Sequence, residues 1–149
     1  MTLKNRINED MKAAMRAREV DRLSAIRMLH AAIKQKEIDE RVEADDALVL
    51  GIVDKLVKQR RDSATQYEQA GRPELAARER AEIDVLSAYL PQQASAEELT
   101  AEIEAAIAAS GASGPQDMGR VMGVLKPRLA GRADMAQVSA QLRSRLAVR

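Results

Sequence analysis

The chain has 149 residues, 46% hydrophobic and 32% charged, with a net charge of +1, which excludes a disordered tail and a membrane-spanning protein. Cysteine, phenylalanine and tryptophan are absent and there are only two tyrosines, so the core must be aliphatic and neither a disulfide framework nor a thiolate metal site can be built. Abundant Ala, Glu, Lys and Arg point to helices packed on helices, and a chain without cysteine fits a reducing cytoplasm most easily.

The opening "MTLKNRINEDMK" mixes acid and base without an apolar centre, unlike a secretory signal. A first helix is expected from about Thr2 to Arg18, with Leu3, Ile7, Met11 and Met15 in one stripe at four-residue spacing. Asp21 is a plausible N-cap for a second, in which Ile26, Leu29 and Ile33 face one way. The third has the strongest period: Leu48, Val49, Ile52, Val53, Leu56 and Val57 form a broad stripe behind Asp45 or Asp46. It should run past Tyr67 to "AGRP", where Gly71 can end one helix and Pro73 begin the next. The fourth should stop before Pro91, because the residue preceding a proline is pushed toward extended geometry.

"PQQAS" reads as a boundary. "SAEE" follows at once as a capping box, with Ser95 at the cap and Glu98 three residues on. A fifth helix buries Leu99, Ile103 and Ile107, "SGASGP" is a loop, and "DMGRVMGVLKPRLAGRAD" makes a sixth. Asp134 caps a seventh with Met135, Val138, Leu142 and Leu146 inside. No strand-like alternation occurs. The expected fold is all-α, with a larger N-terminal helical bundle over 1–91 and a small three-helix C-terminal domain over 95–149.

The lone His30 cannot supply a two-histidine metal site and reads as a partly packed helical residue. No nucleophile–base combination, phosphate-binding glycine loop or dinucleotide fingerprint is present. The acidic pairs Asp45–Asp46 and Glu97–Glu98 suit helix starts. No catalytic residue, metal ligand or cofactor is therefore expected.

Charge is distributed unevenly. Residues 1–91 hold 17 basic and 17 acidic side chains, whereas Gly114 to Arg149 holds seven basic residues against Asp117 and Asp134. "KQRRDS" offers Lys58, Arg60 and Arg61 as a secondary basic patch, although Asp54 and Asp62 can pair with Lys58 along one solvated helix face. The stronger signal is in the sixth helix. Its buried stripe is Met118, Val121, Met122, Leu125 and Leu129, while Gly119 and Gly123 lie one above the other on a neighbouring face. Lys126 and Arg120 flank that strip, with Arg128 and Arg132 close by in sequence. Each glycine costs roughly 1 kcal/mol against alanine in a helix interior. Two readings are open: a seat for another helix, or a groove rimmed by cations that admits a sugar-phosphate chain.

"RLSAIRMLHAAIKQKEID", "VKQRRDSATQYEQAGRPELAARERAEIDVLSAYLPQQ" and "GASGPQDMGRVMGVLKPRLAGRAD" together resemble the YqeY family, in order and over nearly the whole chain. Members are stand-alone helical proteins similar to the C-terminal helical and tail domains of the B subunit of glutamine-dependent aminoacyl-tRNA amidotransferase (GatB). The resemblance implies tRNA binding, and the residues matching the tail motif are Gly119, Val121, Gly123, Leu125, Lys126, Gly131, Arg132 and Asp134. It does not imply the amidotransferase reaction, whose catalytic domain is missing; carbon–nitrogen ligase activity with glutamine as amido-N-donor would rest on the family name alone. The alternative is a helical adaptor for a translation-related partner. Scarce aromatics argue against single-strand base stacking and favour shape and phosphate recognition of a folded RNA such as tRNA.

Overall fold

The computed structural model describes residues 1–148. They form seven α-helices and one 3₁₀ turn, with no strand among the described residues. The helices are α1 (Leu3–Arg16), α2 (Val20–Glu40), α3 (Asp46–Gln69), α4 (Pro73–Ser87), α5 (Ala96–Ser110), α6 (Met118–Leu129) and α7 (Met135–Ala147), with the 3₁₀ turn at Pro115–Asp117. They pack as two compact units, Met1–Leu90 and the chain from Pro91 onward.

Most helix starts follow the local chemistry. The hydroxyl of Thr2 accepts from Asn5 N–H at 3.1 Å, Asp45 from Leu48 N–H at 2.9 Å and Asp134 from Ala136 N–H at 3.0 Å. Ser95 accepts from Glu98 N–H at 3.1 Å. Only that half of the capping box forms, because the Glu98 carboxylate turns instead to Arg132. Gly71 and Gly111 end α3 and α5 in the left-handed region, at φ 73° and 68°.

Two expectations at the start of the chain are corrected. α2 begins at Val20 behind Glu19, with Asp21 in its first turn rather than at the cap. The α1–α2 turn is tight, with Arg18 at φ 58° and Glu19 N–H donating to Ala14 O at 3.0 Å, so the helix starts before a capping side chain is reached. Met15 is exposed, and Ala14 takes the buried position beside Ile7.

The first unit has an aliphatic core of Ile7, Ile26, Leu29, Ile33, Val49, Val53, Val57 and Leu86, closed by Tyr89. The broad stripe of α3 divides: Val49, Val53 and Val57 are buried, while Leu48, Ile52 and Leu56 are half-buried at its edge. Asp46 ties two helix starts together, since Leu3 N–H donates to its Oδ1 at 2.9 Å.

In the second unit Leu99, Ile103 and Ile107 of α5 meet Val121, Met122, Leu125 and Leu129 of α6 and Val138, Leu142 and Leu146 of α7. The stretch before α5 is fastened to the α6–α7 loop: Gln93 Nε2 donates to Gly131 O at 2.7 Å, Ala94 N–H to Arg132 O at 2.9 Å, and Arg132 Nε to Gln92 O at 3.1 Å. Gly131 sits at φ 72°, a conformation that favours glycine at this loop.

Candidate nucleic-acid interface

α6 carries the candidate site. Val121, Met122, Leu125 and Leu129 are buried and Met118 is half-buried, which fixes the rotation of the helix. Gly119 and Gly123 are consequently exposed, and a Cβ added at either would meet nothing within 4 Å. Among the described residues of this unit, neither glycine seats another helix. Pro127 lies inside α6, which continues to Leu129. Lys126 is exposed and, among the described residues, makes no hydrogen bond or ion pair.

The arginines are differently placed. Arg120 pairs with Asp117 and donates to Ser110 O at 3.2 Å. Asp117 in turn accepts from Ser113 N–H at 2.9 Å; that bond, followed by the Arg120 guanidinium, holds its carboxyl below the usual range. Arg132 Nη2 lies 2.8 Å from Glu98 Oε2. Arg128 Nε lies 2.7 Å from Glu102 Oε2, and its Nη2 donates to Oε1 at 3.3 Å. The Nε approach is a charge contact without hydrogen-bond alignment, and Glu102 Oε2 is buried with no donor. Arg145 of α7 pairs with Glu104 at 2.5 Å.

These pairs offset the modest basic excess counted in the C-terminal region. The excess counted from Gly114 onward leaves out α5, and Glu98, Glu102 and Glu104 of that helix sit against Arg132, Arg128 and Arg145. Of the proposed phosphate contacts, Lys126 is uncommitted, whereas Arg120, Arg128 and Arg132 are held in surface ion pairs. Such pairs are worth only about 0–1 kcal/mol each, so they can be exchanged.

A cation missed by sequence reasoning lies on α7. Ser139 Oγ lies 3.9 Å from Met122 Sδ, which sets that edge of α7 beside α6. Arg143 is one turn beyond Ser139 on the same side, exposed, and without an ion pair among the described residues. Its position becomes informative only once the two helices are seated.

The secondary patch does not assemble. Arg60 is 8% exposed and donates through Nε to Glu82 at 2.7 Å and through Nη1 to Leu56 O at 3.4 Å, with Nη2 against Met28 Sδ. It clips α3 to α4 and α2 instead of facing solvent. Arg61 and Lys58 are exposed on α3, and Lys58 is not a free cation.

The profile of the Yqey-like protein family matches residues 4–146. The chain belongs to the YqeY family. Its curated relatives include Altered inheritance of mitochondria protein 41, mitochondrial, of Eremothecium gossypii, 40% identical over 102 residues covering 66% of this chain and 56% of that protein. The proteins of the same name from Vanderwaltozyma polyspora and Lachancea thermotolerans are 34% and 36% identical, covering 66% and 68% of this family member and 55% and 54% of their own lengths. The chain thus spans little more than half the length of the curated relatives it matches. Their names overturn the cytoplasmic expectation: these family members are mitochondrial proteins. A chain without cysteine is compatible with any redox setting and does not single out the cytoplasm. No described helix is long and apolar enough to cross a membrane.

Proposed function

We propose that this YqeY-family protein is an RNA-binding module, with tRNA as its RNA, and that the exposed glycine face of α6 meets the sugar-phosphate backbone. The observation that carries this reading is the open space outside Gly119 and Gly123. Two glycines in one helix oppose its stability, and no neighbour in the fold requires them. A ligand backbone that must come close accounts for them. Lys126 of α6 and Arg143 of the neighbouring α7 make no ion pair among the described residues, and Arg120, Arg128 and Arg132 can exchange carboxylate for phosphate. Carbon–nitrogen ligase chemistry has no residue-level support and is not proposed.

The test compares Gly123→Leu and Lys126→Ala for melting temperature and tRNA affinity. Lys126→Ala should melt within about 2 °C of wild type and Gly123→Leu at or several degrees above it, since neither position touches the core and leucine is the better helix former. Lys126→Ala should bind about fivefold more weakly, and Gly123→Leu should lose binding through bulk alone. If both bind tRNA as wild type does, α6 is not the interface.

One observation favours the adaptor reading instead. A groove of about 540 Å³ runs between α2 and α3, floored by Ala32, Leu48, Gly51, Ile52 and Leu56. Its rim holds Lys55, which makes no ion pair among the described residues. A partner helix with an apolar face and a carboxylate opposite Lys55 would fit it. Loss of partner binding in Gly51→Leu with tRNA binding intact would favour that reading.

A further inference from the structure

A second polar site lies between α1 and α2, in the first unit. Lys4 and Asn8 are four residues apart on α1, with Asn5 beside them; His30, Ile33 and Lys34 share one face of α2 by the same periodicity. The six residues line a cleft of about 300 Å³. Ile33 is buried, and the other five lining residues carry polar side chains.

The chemistry of that lining is one-sided. Four of the five polar groups, Asn5, Asn8, His30 and Lys34, make no side-chain hydrogen bond or ion pair among the described residues. The fifth, Lys4, donates to Glu37 Oε2 at 2.6 Å. Glu37 is one turn beyond Ile33, and it also accepts Ala44 N–H at 2.9 Å. Those two hydrogen bonds, Lys4 first, hold its carboxyl below the usual carboxylate range. Lys34 also lies close enough to act on the Glu37 charge, but no carboxylate is among the lining residues. What faces the cavity is an ammonium, an imidazole and two side-chain amides, all able to donate. The amides and a neutral imidazole also accept, but no carboxylate is present to hold a cation beside the Lys34 ammonium. An oxyanion fits, since one small group can accept from several of these donors at once.

We propose that this cleft is an anion site for a phosphate monoester group of a small molecule, with Asn5, Asn8, His30 and Lys34 as its contacts. The volume suits a phosphate and a short appended group, being at the low end for ligand pockets. Lys4 is neutralised by Glu37, so the positive charge of the lining is that of Lys34. The site is separate from the α6 face and does not depend on RNA binding there.

Because His30 is the only histidine, its imidazole resonances report on the cleft without overlap. The full chain is titrated with inorganic phosphate, and in a second arm with glycerol 3-phosphate, against sodium chloride at matched ionic strength and pH. The expected result is a saturable shift of the His30 ring and of the Asn5 and Asn8 side-chain amide signals in both phosphate arms, with none in chloride. A tighter organophosphate arm would identify an ester; equal affinities would identify the phosphate group alone as the recognised chemistry. Lys34→Ala and Asn8→Ala should each weaken saturation by about fivefold, whereas Lys55→Ala, which removes the same charge elsewhere on this unit, should not. A linear, unsaturating response, the same shift in chloride, or equal weakening by Lys55→Ala would overturn the proposal.

Discussion

The Tyr89 hydroxyl donates to Asp10 Oδ2 at 2.6 Å, joining the segment after α4 to α1 across 79 positions of sequence. The Arg6 guanidinium lies 5.0 Å from the centre of the same ring, so the tyrosine is stacked on one side and hydrogen-bonded at its tip. Burial first, and then the Asp10 carboxylate, push the phenol above its ordinary value.

Tyr89→Phe should lower unfolding stability by about 1.5–3 kcal/mol at neutral pH, the range for a hydrogen bond to a charged group. The folded state holds the phenol protonated more strongly than the unfolded chain does, so this contribution is whole below pH ~10 and fades as pH rises beyond it. Urea denaturation of both proteins at rising pH should show the gap closing on the alkaline side. A gap that does not change with pH would mean the hydroxyl contributes nothing through its proton.

Arg60→Ala should cost about 2–4 kcal/mol, because it strands Glu82 and removes the link from α3 to α4. Arg61→Ala, one residue on but exposed, should stay within about 0.5 kcal/mol. Paired denaturation curves check both. tRNA affinity should not follow the Arg60 change at temperatures where the variant is folded; if it does, the arginine reaches RNA after all.

Releasing the arginines should strengthen RNA binding. In a Glu98→Gln, Glu102→Gln double variant, Arg132 and Arg128 lose their carboxylate partners, while stability changes by no more than about 1 kcal/mol per pair. Filter binding should show tRNA affinity rising about fivefold or more. Unchanged affinity would remove Arg128 and Arg132 from the contact and leave Lys126, Arg143 and Arg120.

Limited digestion with a protease of broad specificity should first cut at the exposed Pro91–Gln92 link, since Tyr89 before it is buried and bonded to Asp10. Gln92 to Ala94 should resist longer, since these residues bond to the 131–132 loop. First cleavage within α3 or α6 would contradict independently folding units.

Helices were legible wherever a short side chain or glycine fixed their ends. Asp45, Ser95 and Asp134 accept backbone N–H groups, and Gly71 and Gly111 turn left-handed. The start and end of α2 were not legible. Glu19 makes no side-chain cap there, and Arg41 ends the helix at φ 54°, a position for which no glycine or asparagine gave warning. The rotation of α6 was legible too, because its apolar stripe leaves one orientation. The charge of the site was not. Whether Arg128 is free depends on Glu102, 26 residues away on another helix, and the burial of Arg60 depends in the same way on Met28 and Glu82. Sequence spacing records neighbours on one helix; these partners are set by packing between helices.

Glu98, Glu102 and Glu104 act as counterions that never diffuse away. An ordinary basic surface is neutralised by dissolved anions, and a nucleic acid by condensed cations that leave when a protein takes their place. Here a phosphate arriving at Arg128 or Arg132 displaces a tethered carboxylate, which then needs a dissolved cation of its own. Each such contact should release fewer ions than a contact to Lys126, which has no carboxylate to displace. A polyanion on this face would therefore bind with a salt dependence shallower than its number of arginine contacts implies, and would hold on better as ionic strength rises.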